Sequence, residues 1–257
     1  MLRGLIFDVD GTLADTERDG HRVAFNRAFA DAGLDWDWDV PTYGDLLKVT
    51  GGRERMLHFI QGHAPEVPTQ EREQLVRRLH VRKTEYYLRM IEQGLVSLRP
   101  GVARLLAEAH AAGIVLAIAT TTTRANIDAL LEHALPRGAL DWFHTIGAAE
   151  NAARKKPDPG IYEYVLEAID IAPRDCQAFE DSEAGLCAAL IAGVPTVVTL
   201  NDYTDDQDFT GALSVLSDLG EPDVHTEVLA GAKLARGYVD LAQLRAWHTQ
   251  TTLAQRH

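Results

Sequence analysis

Leu5 to Phe7 is an apolar run that stops abruptly at Asp8 and Asp10, completing a first strand, Leu2 to Asp8, and no second strand-like run appears before residue 114. A strand so isolated cannot bury its faces by itself. It must pair with chain far downstream, so any domain that contains it is discontinuous. The interval 15–94 reads as nearly all helix. Val23, Ala24, Phe25, Ala28, Phe29 and Ala32 recur at helical spacing, with Gly33 as a stop. Gly33 to Tyr43 reads as an aromatic-lined loop. A short helix is expected over 53–62, with Met56, Leu57, Phe59 and Ile60 inward, broken by Pro65 and Pro68. A long one follows over 69–93, apolar at Leu75, Leu79, Tyr86, Met90 and Ile91.

After Pro100-Gly101 the rhythm changes to helix 101–112, strand 114–120, helix 124–134, strand 144–148, helix 159–169, strand 176–180, helix 183–192 and strand 195–199. Short apolar strands alternating with helices predict an α/β fold, a parallel sheet covered on both faces. The expected organisation is a discontinuous core of residues 1–15 and 95–225, an all-helical cap of residues 16–94, and a helical C-terminal extension, 226–257. Leu213 to Leu219 fits an edge strand or a short helix.

The net charge of −13 argues against nucleic acid or anionic membrane as partner. No apolar run approaches a membrane span, and the first strand follows the N-terminus without a basic leader. Cys176 and Cys187 lie in apolar surroundings and read as buried free thiols in a reducing compartment. A cytoplasmic monomer is the expectation.

Asp8 and Asp10 leave one face of an extended chain. They fall at the carboxyl edge of a sheet, where open α/β folds bind ligands. Two such charges about 4 Å apart repel by about 4 kcal/mol at an effective dielectric near 20, so a cation is expected beside them. Thr120 to Thr123 end the next strand just before a helix, a setting for phosphate oxygens as well as for N-capping. Lys155-Lys156-Pro157 offers a lysine to offset anionic charge, and Lys156, next to Pro157, is the better placed. Glu180-Asp181-Ser182 brings further carboxylates to a strand end. Hard oxygen ligands completed by phosphate and water describe a Mg²⁺ site.

In this order, and with a helical insertion after the first, DVDGT (8–12), ATTTT (119–123), KKP (155–157) and EDS (180–182) resemble the four motifs of the haloacid dehalogenase-type phosphatases, over roughly residues 2–200. The resemblance implies a Rossmann-like core in which Asp8 attacks phosphorus to form an aspartyl-phosphate and Asp10 acts as acid and then base. It places Mg²⁺ on Asp8, the Asp10 backbone carbonyl and Asp181, with Glu180 in support. Thr120 and Thr121 would bind phosphoryl oxygens, and Lys156 would offset charge.

Glu17 and His21 are four apart and share a helix face. Gly51 and Gly52 allow a backbone to approach a ligand, and Arg53 can grip a second phosphate. Arg77, Arg78, Arg82 and Lys83 read equally as a solvated face. The segments TLADTE, DGHRVAFN, VTGGRER, RKTEYY and ATTTTRANI are similar to the CbbY-type branch, whose members dephosphorylate xylulose-1,5-bisphosphate, an inhibitor of ribulose bisphosphate carboxylase. That resemblance puts Glu17, His21, Tyr43, Gly51, Gly52, Arg53, Lys83 and Asn126 around a small phosphorylated sugar, with Thr120, Thr121 and Lys156. A β-phosphoglucomutase-like mutase would share core and cap. A receiver-type signalling module would share the Asp, Thr and Lys, but without an insertion after its first strand.

Overall fold

In the computed structural model, which describes residues 1–49, 51–64 and 67–254, the first strand has neighbours on both sides. Pro65 and the threonine of VTGGRER, Thr50, lie outside the described residues. The strands are β1 (Gly4–Phe7), β2 (Val115–Ala119), β3 (Phe143–Gly147), β4 (Cys176–Glu180), β5 (Thr196–Thr199), β6 (Ser214–Leu216) and β7 (Val228–Gly231). Their order is β3-β2-β1-β4-β5-β6-β7, parallel from β3 to β6, with β7 antiparallel at one edge. Ile6 pairs with Ala117 on one side and Ala178 on the other. The chain forms two units, Met1–Asp15 with Ser97–His257, and Thr16–Val96.

Within the second unit a π-helical turn, Thr16–His21, leads into α1 (Arg22–Asp31), followed by α2 (Val40–Leu47), α3 (Gly52–His63) and α4 (Thr69–Glu92). Its centre is aromatic. The Trp38 ring lies 4.7 Å from Phe25, 4.8 Å from Phe29 and 5.4 Å from Phe59. The expected loop 33–43 is shorter than its composition suggests. Asp39 accepts a hydrogen bond from the Thr42 amide at 2.8 Å, and Pro41 sits in the first turn, so α2 starts at Val40. On α4 the buried stripe takes Val76 and Tyr87 rather than Leu75 and Tyr86, and it includes Lys83.

The first unit adds α5 (Val102–Ala111), α6 (Arg124–Ala134), α7 (Gly160–Ile169), α8 (Glu183–Ile191) and α9 (Leu241–Ala254). Small residues in the strands and on α8, among them Ala117, Ala178, Ala188 and Ala189, share one buried cluster with Ile6, Tyr162 and Val165. The helical reading of 226–257 needs correction. Val228–Gly231 pairs with β6, where Gly231 adopts φ +79°, and among the described residues of that segment α9 is the helix. Leu213 to Leu219 contributes β6, an interior strand. The C-terminal segment is bound to this unit. Arg104 donates to Glu221 (2.8 Å), to the Gly220 carbonyl (2.7 Å) and to the Val239 carbonyl (3.0 Å). Cys176 is buried, its thiol pushed up to about 12 chiefly by burial, whereas Cys187 is exposed on α8, contrary to expectation. Leu186, Ala188 and Ala189 take the inward face of that helix. Among the described residues no helix is long and apolar enough to cross a membrane.

Candidate active site

The parallel register brings the carboxyl ends of β1 and β4 side by side. The Asp8 amide donates to the Phe179 carbonyl at 3.0 Å, and the Phe7 and Phe179 rings stack at 4.5 Å beneath. Asp8 therefore stands next to Glu180 and Asp181, and all three are buried. One oxygen from each lies within 4.8 Å of the other two. Lys156 Nζ donates to Asp8 Oδ1 and to Glu180 Oε1, both at 2.6 Å, while Lys155 is exposed. Tyr162, one turn into α7, also donates to Glu180 Oε1.

Past Asp8 the chain turns back sharply. The Leu13 amide donates to the Val9 carbonyl at 2.9 Å, and Gly11 takes φ +83°. A side chain at Gly11 is excluded by φ and by space, since a Cβ there would lie 2.1 Å from Asp181 Oδ2. Asn201, just beyond β5, donates to that same oxygen at 2.7 Å. The Asp10 carboxylate accepts a hydrogen bond from the Thr122 hydroxyl.

Three buried carboxylates with one lysine leave net negative charge in a low-dielectric site. Burial, reinforced by repulsion from Asp8, pushes Glu180 up to about 7 against the pull of Lys156. Asp181 is raised well above the usual carboxylate range, by burial first and then by Asp8 and Glu180. Burial opposes the charge on Lys156, but Asp8 and Glu180 outweigh it and hold the ammonium form. Glu180 Oε2 is buried with no hydrogen-bond partner. Clustered hard oxygens, one of them unpaired, fit a small divalent cation such as Mg²⁺ and suit a soft metal poorly.

The structure places the other sequence candidates as follows. Thr120 is buried at the end of β2, its amide bonded to the Gly147 carbonyl at 3.0 Å, whereas Thr121 is exposed. Asn126 is half-buried in the first turn of α6. In the Thr16–Val96 unit, Tyr43 donates to Glu17 at 2.5 Å and receives a bond from Arg55 at 2.7 Å. His21 is buried against Lys83, with Nζ 2.9 Å from Nδ1. Desolvation, then Lys83, Arg55 and His80, hold its pKa well below the ordinary value. Gly51 caps α3 with φ +104°, and Gly52 opens it. Arg53 is exposed, 4.0 Å from Glu73, and Arg55, two residues on, is buried.

Tyr162 and Asn201, which bond to Glu180 and Asp181, were not legible as site residues, and Thr122 and Arg55 were legible only as members of longer polar runs. Four consecutive threonines give no means of choosing the third. Arg55, flanked by charged residues and Met56, carries no local mark of burial. Asn201 follows a strand end on the ligand-binding edge, the one signal that could have singled it out.

A family model described as haloacid dehalogenase-like hydrolase matches residues 2–193. The chain belongs to that family. The CbbY protein (plasmid) of Cupriavidus necator is 49% identical over 98% of this chain and 99% of its own length. The structure of CbbY from Rhodobacter sphaeroides in complex with phosphate is 41% identical, with TM-score 0.73 over 87% of this chain and 97% of that one. A mutant of that protein in complex with xylulose-(1,5)bisphosphate is 40% identical, with TM-score 0.74 over the same shares. Among haloacid dehalogenase-like hydrolases the chain thus stands with the CbbY proteins, and it is a phosphatase.

Proposed function

We propose that this phosphatase hydrolyses xylulose-1,5-bisphosphate to xylulose-5-phosphate and phosphate through an aspartyl-phosphate on Asp8, with Mg²⁺ as cofactor. The observation that carries the chemistry is the contact of Lys156 with both Asp8 and Glu180 beside Asp181. An ionised carboxylate needs no base to become a nucleophile. One Asp8 oxygen forms a bond to phosphorus as the bond to the sugar oxygen breaks, and Asp10 gives that oxygen a proton. Water then attacks the same phosphorus, Asp10 takes its proton, and Asp8 returns as carboxylate. The Thr122 hydroxyl orients the Asp10 side chain for both steps. Thr120 and Thr121 supply donors to the phosphoryl oxygens. Asp8, Asp181, the Asp10 carbonyl and Glu180 would hold Mg²⁺, which when bound offsets charge on the equatorial oxygens.

The sugar is proposed from the ligand of the R. sphaeroides CbbY mutant. Glu17, His21, Tyr43, Gly51, Gly52, Arg53, Lys83 and Asn126 are the proposed substrate contacts. Arg55 is buried against Tyr43 and Glu17 and would fix those two rather than the sugar. A cytoplasmic monomer is the proposed setting, and both thiols are free, as a reducing compartment keeps them.

The test is phosphate release from xylulose-1,5-bisphosphate against a panel of sugar phosphates, alongside glucose-6-phosphate formed from β-glucose-1-phosphate. Preference for the bisphosphate is expected, with release abolished in Asp8→Asn. Predominant mutase product would replace hydrolysis by the mutase reading, and full release by Asp8→Asn would end the nucleophile assignment.

A further inference from the structure

Arg99 is buried, yet it touches none of the acidic groups of the triad. Its guanidinium instead gathers backbone from three separate strand ends. Nη1 donates to the Gly11 carbonyl, to the Thr199 carbonyl at 3.1 Å and to the Thr199 hydroxyl at 3.2 Å. Nη2 donates to the Leu200 carbonyl and to the Ser217 carbonyl at 2.8 Å. Nε lies 3.4 Å from Asp15 Oδ1, and the Arg99 amide donates to the Leu13 carbonyl at 2.8 Å.

Two of those segments are the ones that seat Asp181. Gly11 packs against Asp181 Oδ2, and Leu200 immediately precedes Asn201, whose side-chain Nδ2 donates to the same oxygen. A buried guanidinium that bonds both backbones fixes the spacing between them, and with it the orientation of the Asp181 carboxylate. A helix-and-sheet core would not need a charge for this. Arg104, on α5, bonds to the C-terminal segment and pairs with Glu108 of its own helix.

We infer that Arg99 is a positioning residue for the cation site, holding the Asp10-Gly11 turn and the Leu200-Asn201 segment at the separation that presents Asp181 for binding. The inference rests on the proposed reading of Asp181 as a ligand of Mg²⁺. Ligand-orienting residues beyond the first layer commonly change metal affinity by one to two orders of magnitude. Lysine at this position keeps the charge but cannot span the two segments, because its donors lie on one nitrogen.

The test is calorimetric titration of MgCl₂ into the substrate-free full chain, with thermal unfolding measured on the same samples. The proteins are wild type, Asp181→Asn, Arg99→Lys and, as a control for a lost structural brace, Arg104→Lys. Arg99→Lys is expected to weaken Mg²⁺ binding by about tenfold, while Arg104→Lys binds as wild type does. Wild-type affinity in folded Arg99→Lys, with binding lost in Asp181→Asn, overturns the inference alone. Absence of Mg²⁺ binding by the wild type overturns the ligand reading and this inference together. Should Arg99→Lys not fold, Asp15→Asn takes its place, since it loosens the guanidinium without emptying the site. A fall of about threefold is then expected, scaled down from the loss of a whole positioning residue, and unchanged affinity is the overturning result.

Discussion

A methyl group at residue 185 would collide with the centre of the site. A Cβ there would lie 1.8 Å from Glu180 Oε2, and the first turn of α8 leaves no room to retreat, because the Gly185 amide is bonded to Ser182 Oγ at 3.2 Å. Gly185→Ala should displace Glu180 and, through it, Lys156. A misplacement near 1 Å can cost about 100-fold in rate, so kcat should fall by that order while circular dichroism stays native. His21 makes a different prediction. Its folded pKa lies well below 6.5, so the unfolded chain binds a proton that the folded unit refuses. The stability it contributes is complete above pH 6.5 and declines as pH falls below it, by up to about 1.4 kcal/mol per pH unit. Glu180 and Asp181, raised in the folded state, add the opposite slope over the same range, so the His21 contribution is the difference between wild type and His21→Gln in urea unfolding from pH 7.5 to 5.5, the wild type losing more stability toward the acid end. Neither effect is visible in sequence, where Gly185 is one small residue in a helix and His21 a polar one.

At the scale of elements, the alternation of strand and helix from 101 to 199 was legible because buried parallel strands are continuous apolar runs bounded by turn residues. β7 was not, because its four residues are exposed on every side and carry no alternation to read. α9 was legible as a helix but not as part of the core. Leu241, Leu244 and Trp247 are nearly inaccessible, and His248 Nε2 lies 3.0 Å from the Arg174 carbonyl. Ending the chain at residue 240 should therefore destabilise the first unit by about 5 kcal/mol, from burial of these side chains alone. That is a large part of the total stability of an ordinary domain. Urea midpoints of the truncated and full chains would measure it, and equal midpoints would make α9 an appendage.

For the whole molecule, a chain of net charge −13 also buries an acidic triad with one lysine. Three of the four motifs disclosed that triad in advance because they end strands and parallel strands end on one edge, while Lys156 reaches it from the loop beyond β3. Which backbones hold it in register, through Arg99 and Asn201, depends on contacts between segments up to 118 residues apart, which no local pattern records. Chelation should abolish phosphatase activity and lower the unfolding temperature. Mg²⁺ at about 100 times its Kd should restore both, with a rise of about 5 °C. Sodium at matched ionic strength should restore neither, which separates ligation from screening.

Cys187 stands exposed on the helix that begins beside Asp181, while the other thiol is shut inside β4. A maleimide dye should accordingly attach once to the native protein and twice after denaturation, a difference that intact mass would reveal. The unaltered chain thus carries a built-in anchor for a fluorophore a few residues from the acidic pair, and emission from that dye could follow occupancy of the site without any engineered cysteine.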